Sequence, residues 1–129
     1  MGADATIVYD KKSGTVTIEG VGGLEYSKFP VAGAPKMFLD ELSKKLGTNE
    51  FSVFLQFSND VKTLRASQFT LDYKSNSYAF NIVDRHFIGS VSKGNAFANS
   101  KPMTENDVKK LFEQKAVQPK TKAPATQMQ

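Results

Sequence analysis

The chain holds a single histidine, His86, and no cysteine. That inventory removes thiolate catalysis, disulfides and cysteine–zinc sites together, and leaves no histidine cage for a metal. Asp84 and His86 would share one face of an uninterrupted strand, two members of a triad in principle. No serine sits in a nucleophile-elbow setting such as G-x-S-x-G, so the pair reads as a surface or hairpin feature. Asp40 and Glu41 are adjacent acids, which on a helix point in different directions. Gly20-Val21-Gly22-Gly23 has the composition of a phosphate cradle, but Leu24 to Phe29 alternates like a strand and opens no helix. A turn or bulge is expected there. The residues point away from an enzyme and from any cofactor.

A different chemistry is available to cations interleaved with rings. Residues 51–93 carry Lys62, Arg65, Lys74, Arg85, His86 and Lys93 among closely spaced phenylalanines and tyrosines. Single-strand binders combine a positive groove with exposed rings, each stacked base contributing roughly 1–3 kcal/mol. Phe54 lies between Ser52 and Gln56, on the face opposite Phe51, Val53, Leu55 and Phe57. It is either a stacking ring or a contact for a helix or second subunit covering that face. Tyr73 and Tyr78 flank a turn carrying Lys74, where they border a groove or pack across the strands. Lys62, Arg65 and Arg85 are the best phosphate partners on the sheet, and Lys120 and Lys122 add attraction from the C-terminal end. Neutralising Z phosphates on a single strand should give a salt slope of about −0.7Z.

These residues need a sheet to position them. Phe51 to Phe57 alternates with period two, Phe69, Leu71 and Tyr73 do the same, and Tyr78, Phe80 and Ile82 share a face. Leu64 is out of phase, which predicts a bulge near Ala66-Ser67. Asp84-Arg85-His86 interrupts the pattern before Phe87 to Val91 as a bend or a tight turn. Upstream, Ile7–Tyr9 and Thr15–Ile18 are short strands around a loop in which Gly14 can take positive φ. Pro35 and Gly47 bracket a helix with Phe38, Leu39, Leu42 and Leu46 as its apolar stripe and Asp40, Glu41, Lys44 and Lys45 solvated. Thr104 caps a second helix, over which Val108, Leu111 and Phe112 form a stripe. The fold class is α+β: a strongly bent antiparallel sheet of about seven strands with two helices, in the order βββ-α-ββββ-α.

At 129 residues the chain makes one domain, with 1–116 as its body and 117–129 as a basic tail. Residues 1–50 hold six Lys/Arg against seven Asp/Glu, residues 51–100 five against three, and residues 101–129 six against three. The excess that makes the net charge +4 therefore lies in the second half, which favours a polyanion partner. No apolar run approaches a membrane span and the N-terminus lacks a signal peptide's pattern, so a cytoplasmic protein is expected. Met1 to Thr6 fits the loose M-G-x-x-x-[ST] acylation pattern, but one chain without a polybasic neighbour anchors weakly.

The order of elements from Ile7 to Phe112 resembles the Whirly and Pur families, which repeat a ββββα unit and bind single-stranded DNA or RNA. Whirly proteins carry a Lys-Gly-Lys-Ala motif early in the domain, where this chain has only Lys93-Gly94-Asn95-Ala96, in its second half. The resemblance implies a binding mode and no particular residues. A small, cysteine-free, basic chain also resembles virus-encoded transcription cofactors that hold open DNA, with an RNA polymerase as partner. The expected function is non-catalytic binding of single-stranded nucleic acid, DNA over RNA, as a homo-oligomer that covers open sheet edges. The alternative is a protein-interaction module, such as a viral inhibitor of a host enzyme, anchored by Phe54, Phe87 or Phe97.

Overall fold

The computed structural model describes residues 2–20, 27–57, 66–83, 87–94 and 101–113. Seven strands pair in the order β3-β2-β1-β4-β5-β6-β7, antiparallel throughout. They are β1 (Gly2–Asp10), β2 (Thr15–Glu19), β3 (Ser27–Pro30), β4 (Glu50–Phe57), β5 (Ala66–Tyr73), β6 (Asn76–Val83) and β7 (Phe87–Lys93). Helix α1 (Gly33–Leu46) joins β3 to β4, and α2 (Glu105–Glu113) follows β7. The expected order of elements is the observed one. The sheet curls until its outermost strands meet, with Val31 beside β3 bridging Ile88 of β7, so it is nearly closed.

Alternation decides the two faces. Odd positions of β1, β4 and β5, and even positions of β2 and β6, point inward. Both helices fill the hollow of the curl. The Phe38 ring of α1 lies 4.7 Å from Tyr78, 5.4 Å from Phe80 and 5.4 Å from Phe112 of α2, while Phe69 stacks on Phe80 at 4.8 Å. The aromatic residues of the meander are therefore mostly core, and the outer face of the sheet carries no described helix.

Local chemistry sets the boundaries. Gly47 ends α1 at φ 68°, its N–H donating to the Ser43 carbonyl at 2.8 Å. Thr104 and Asp107 cap α2 reciprocally, Oγ1 accepting from the Asp107 N–H and Oδ2 from the Thr104 N–H. The Thr104 N–H, and after it the Thr104 hydroxyl, hold the Asp107 carboxyl below its usual range. The bulge at Ala66-Ser67 is present: Gln56 faces Gln68 and Phe57 faces Ala66, leaving Ser67 extra. A second bulge at Gly89 sits between the pairs Asn81–Ser90 and Ile82–Ile88. Val83 faces Phe87 across the antiparallel pair β6–β7, and the interruption expected at 84–86 lies outside the described residues.

Three expectations need correction. Strand β1 begins at Gly2, well before Ile7, although Gly, Ala and Asp are poor strand formers. Pairing with β4 along Gly2–Val8 overrides that preference. Leu46 leaves the apolar stripe and is half exposed at the helix end. Asp40 leaves the solvated face to accept a hydrogen bond from the Tyr9 hydroxyl. The segment 21–26 lies outside the described residues.

The β5–β6 turn stores strain that can be released. Lys74 and Ser75 are its two central residues at φ 50° and 66°, a region costly for side chains with a Cβ. A type I′ hairpin turn demands positive φ at both positions and favours Asn-Gly. Replacing the pair by Lys74→Asn and Ser75→Gly is expected to add about 1 kcal/mol of stability. Thermal melting checks it; a lower melting temperature would sink the turn assignment.

Candidate functional site

The outer face is built from the alternate residues that the core does not use. At its centre Phe54 of β4 faces Asp4 of β1 on one side and Thr70 of β5 on the other. Its ring is 43% exposed. It leans over Gly2, the next outward position of β1: a Cβ there would come within 2.4 Å of the ring's Cζ. One side of the ring thus covers bare backbone, an aromatic filling the gap a glycine leaves in a sheet. Around the ring runs an open groove of about 330 Å³, lined by Asp4, Ser52, Val53, Phe54, Thr70 and Asp72. A second, of about 460 Å³, adjoins it and shares Asp4, Ser52 and Val53. The Ser77 hydroxyl donates to Asp72 Oδ1 at 2.5 Å, which fixes that carboxylate beside the groove.

Among the described strands, charge on this face is negative. Asp4, Asp10, Glu19, Glu50 and Asp72 all occupy outward positions of the described strands, where the opposing cation is Lys28. Lys28 acts on Asp10, whose carboxyl lies below its usual range mainly through the Ser13 N–H. Neither Asp4 nor Asp72 makes an ion pair with another described residue.

Of the residues expected to bind nucleic acid, only Phe54 has an exposed ring on the outer face. Tyr73 and Tyr78 do not border a groove. Both are buried on the inner face, Tyr73 stacked at 5.7 Å on Phe112 and Tyr78 against Phe38. Two helices seal them from any base, and burial pushes the Tyr78 phenol upward in pKa. Lys74 and Lys93 are exposed at the end of the sheet formed by the β5–β6 turn. Lys74 lies four positions along from Thr70, so about 13 Å separates Lys74 from the Phe54 row. Lys62, Arg65, Arg85, Lys120 and Lys122 lie outside the described residues, as do Asp84, His86 and Phe97. Among the described residues no cluster of cations surrounds Phe54.

What the residue-by-residue reading missed is the acid pair, Asp4 and Asp72. The signal was present: each stands one register position out of phase with a buried neighbour, Ala5 or Leu71.

A second polar cluster joins sheet and helix. The Tyr9 hydroxyl donates to Asp40 Oδ1, and Lys36 Nζ lies 3.2 Å from both the Tyr9 oxygen and Asp40 Oδ2. It is a structural clamp between β1 and α1. Burial, and then the Asp40 carboxylate, push the Tyr9 phenol well above its ordinary pKa. Because the folded value exceeds the unfolded one, the associated stability is complete below about pH 10 and is lost as pH rises beyond it. Urea midpoints at neutral pH and above pH 10 should fall more for the wild type than for Tyr9→Phe; equal falls would contradict the clamp.

Among the described residues no group of three or more His, Cys, Asp or Glu could hold a metal ion. No described helix is long and apolar enough to cross a membrane. Comparison with protein-family models, curated proteins and solved structures gives no match for this chain.

Proposed function

We propose that the chain is a non-catalytic, cytoplasmic protein-interaction module that receives a partner on the outer face of its sheet, with Phe54 as the anchor. The carrying observation is an exposed ring whose nearest charges, among the described residues, are carboxylates. A nucleic acid laid over Phe54 would set its phosphates against Asp4 and Asp72. A protein segment with basic and apolar side chains would meet complementary charge and a ring already held in place. Aromatic anchors of this kind carry much of the energy of protein interfaces, and rim charges of matched sign speed encounter.

Single-stranded nucleic acid is the second reading, favoured by one observation. The described residues are nearly neutral, with eleven Lys/Arg against ten Asp/Glu, whereas the remainder hold six against three. A polyanion would be gripped by those other segments, with Lys62, Arg65, Arg85, Lys120 and Lys122 on phosphates, in the manner the Whirly and Pur resemblance implies. In that reading the chain serves an RNA polymerase as a virus-encoded transcription cofactor, and self-association widens the basic surface.

Fluorescence anisotropy separates the readings. The probes are a peptide alternating lysine with apolar residues, its glutamate counterpart, and a labelled single-stranded oligonucleotide, each at low and high salt. The proposal expects binding of the lysine peptide alone at moderate salt. Tighter binding of the oligonucleotide, with a steep salt slope, would overturn it in favour of the second reading.

A further inference from the structure

The outer groove presents two carboxylates on either side of a ring, and the chain carries a segment of matching charge. Residues 114–129 contain three lysines and no acid. We propose that this C-terminal segment of the same molecule occupies the groove: Pro119-Lys120-Thr121-Lys122-Ala123-Pro124 crosses Phe54, with its two lysines on Asp72 and Asp4. The inference stands apart from the identity of any external partner.

Spacing supports it. In an extended segment Lys120 and Lys122 project to the same side, about 7 Å apart. Prolines on both sides bias the backbone toward such an extended form. Asp4 and Asp72 lie on the two strands that flank β4, offset by two residues and about 12 Å apart, a gap that lysine arms reach across. Ser52 and Thr70, also lining the groove, supply hydroxyls for the backbone between them.

Length supports it as well. The Phe112 ring rests 5.7 Å from that of Tyr73, the chain neighbour of Asp72 on the opposite face. From Glu113 the seven residues to Lys120 can span about 23 Å, enough to pass around the end of β5. Surface ion pairs are individually weak, but a tether of this length holds the segment at millimolar effective concentration, so weak contacts suffice. The segment would then compete with any basic partner for the same carboxylates. It acts as a built-in occupant that such a partner must displace.

The absence of cysteine makes the test clean. Thr121→Cys in the full chain takes a single nitroxide label, and amide signals of the isotopically labelled protein report what the label approaches. At low salt the amides of Ser52–Phe54, Thr70 and Asp72 should lose most of their intensity while those around Lys36 do not. The loss should vanish in the double variant Asp4→Asn, Asp72→Asn. It should return when Asp4→Lys and Asp72→Lys are combined with Lys120→Glu and Lys122→Glu. Intensity loss that ignores the carboxylates, or none on the outer face, would overturn the proposal. So would loss seen only when spin-labelled and isotopically labelled molecules are separate chains in a mixture, since that places the segment on a neighbour.

Discussion

Phe38→Ala is expected to remove about 3–5 kcal/mol of stability, the cost of emptying a fully buried aromatic site. Three rings from two elements converge on Phe38: Tyr78 and Phe80 from β6 and Phe112 from α2. Those partners belong to rigid elements and cannot all collapse into the space, so the cavity persists. Against a total of about 5–15 kcal/mol for a domain, the variant stands near the edge of folding. Urea titration is the measurement, with the midpoint falling and the slope retained. Leu46→Ala, on the same helix but half exposed, should stay within about 0.5 kcal/mol. A small loss at Phe38 would mean that the helix does not plug the curl of the sheet as described.

Phe54→Ala should do the reverse. The ring is a surface group on Gly2, so its removal should cost less than about 1 kcal/mol of folding stability. Affinity for the basic peptide should drop more than tenfold, because an anchor at the centre of an interface is typically worth about 2 kcal/mol or more. Asp4→Asn and Asp72→Asn should mainly slow association and flatten its salt dependence. Paired melting and anisotropy measurements decide the matter. Unchanged affinity in Phe54→Ala would move the binding surface away from the centre of the outer face.

The contrast between these two phenylalanines shows what could be read from the chain. Strands with one buried face announce themselves: Phe51, Val53 and Leu55 are buried and Ser52 and Phe54 exposed, in strict alternation. Gly47 and Thr104 mark helix ends through chemistry that is local, and Ser67 was legible because Leu64 broke phase with Phe69. Tyr73 and Tyr78 were ambiguous for a physical reason: a tyrosine at the end of a strand can border a groove or enter a core. Which of these happens depends on where a remote helix lands, and α2 lands on Tyr73. Asp40 left its expected place because Tyr9, thirty-one residues earlier, offered a hydroxyl. The acidity of the outer face followed from alternation alone, yet the fold had to bring β1 beside β4 before Asp4 and Asp72 became neighbours of one ring.

The meeting of Val31 with Ile88, and of Ser92 with Pro102, bears on how molecules of this protein would encounter one another. An open sheet offers rows of idle amides on which a foreign strand can zip, and that was the motive for expecting self-association. Here the flanks of the curl are turned toward their own chain, so an intruding strand would first have to prise apart existing partners. Any contact between molecules is then expected to run through side chains rather than through a shared ladder.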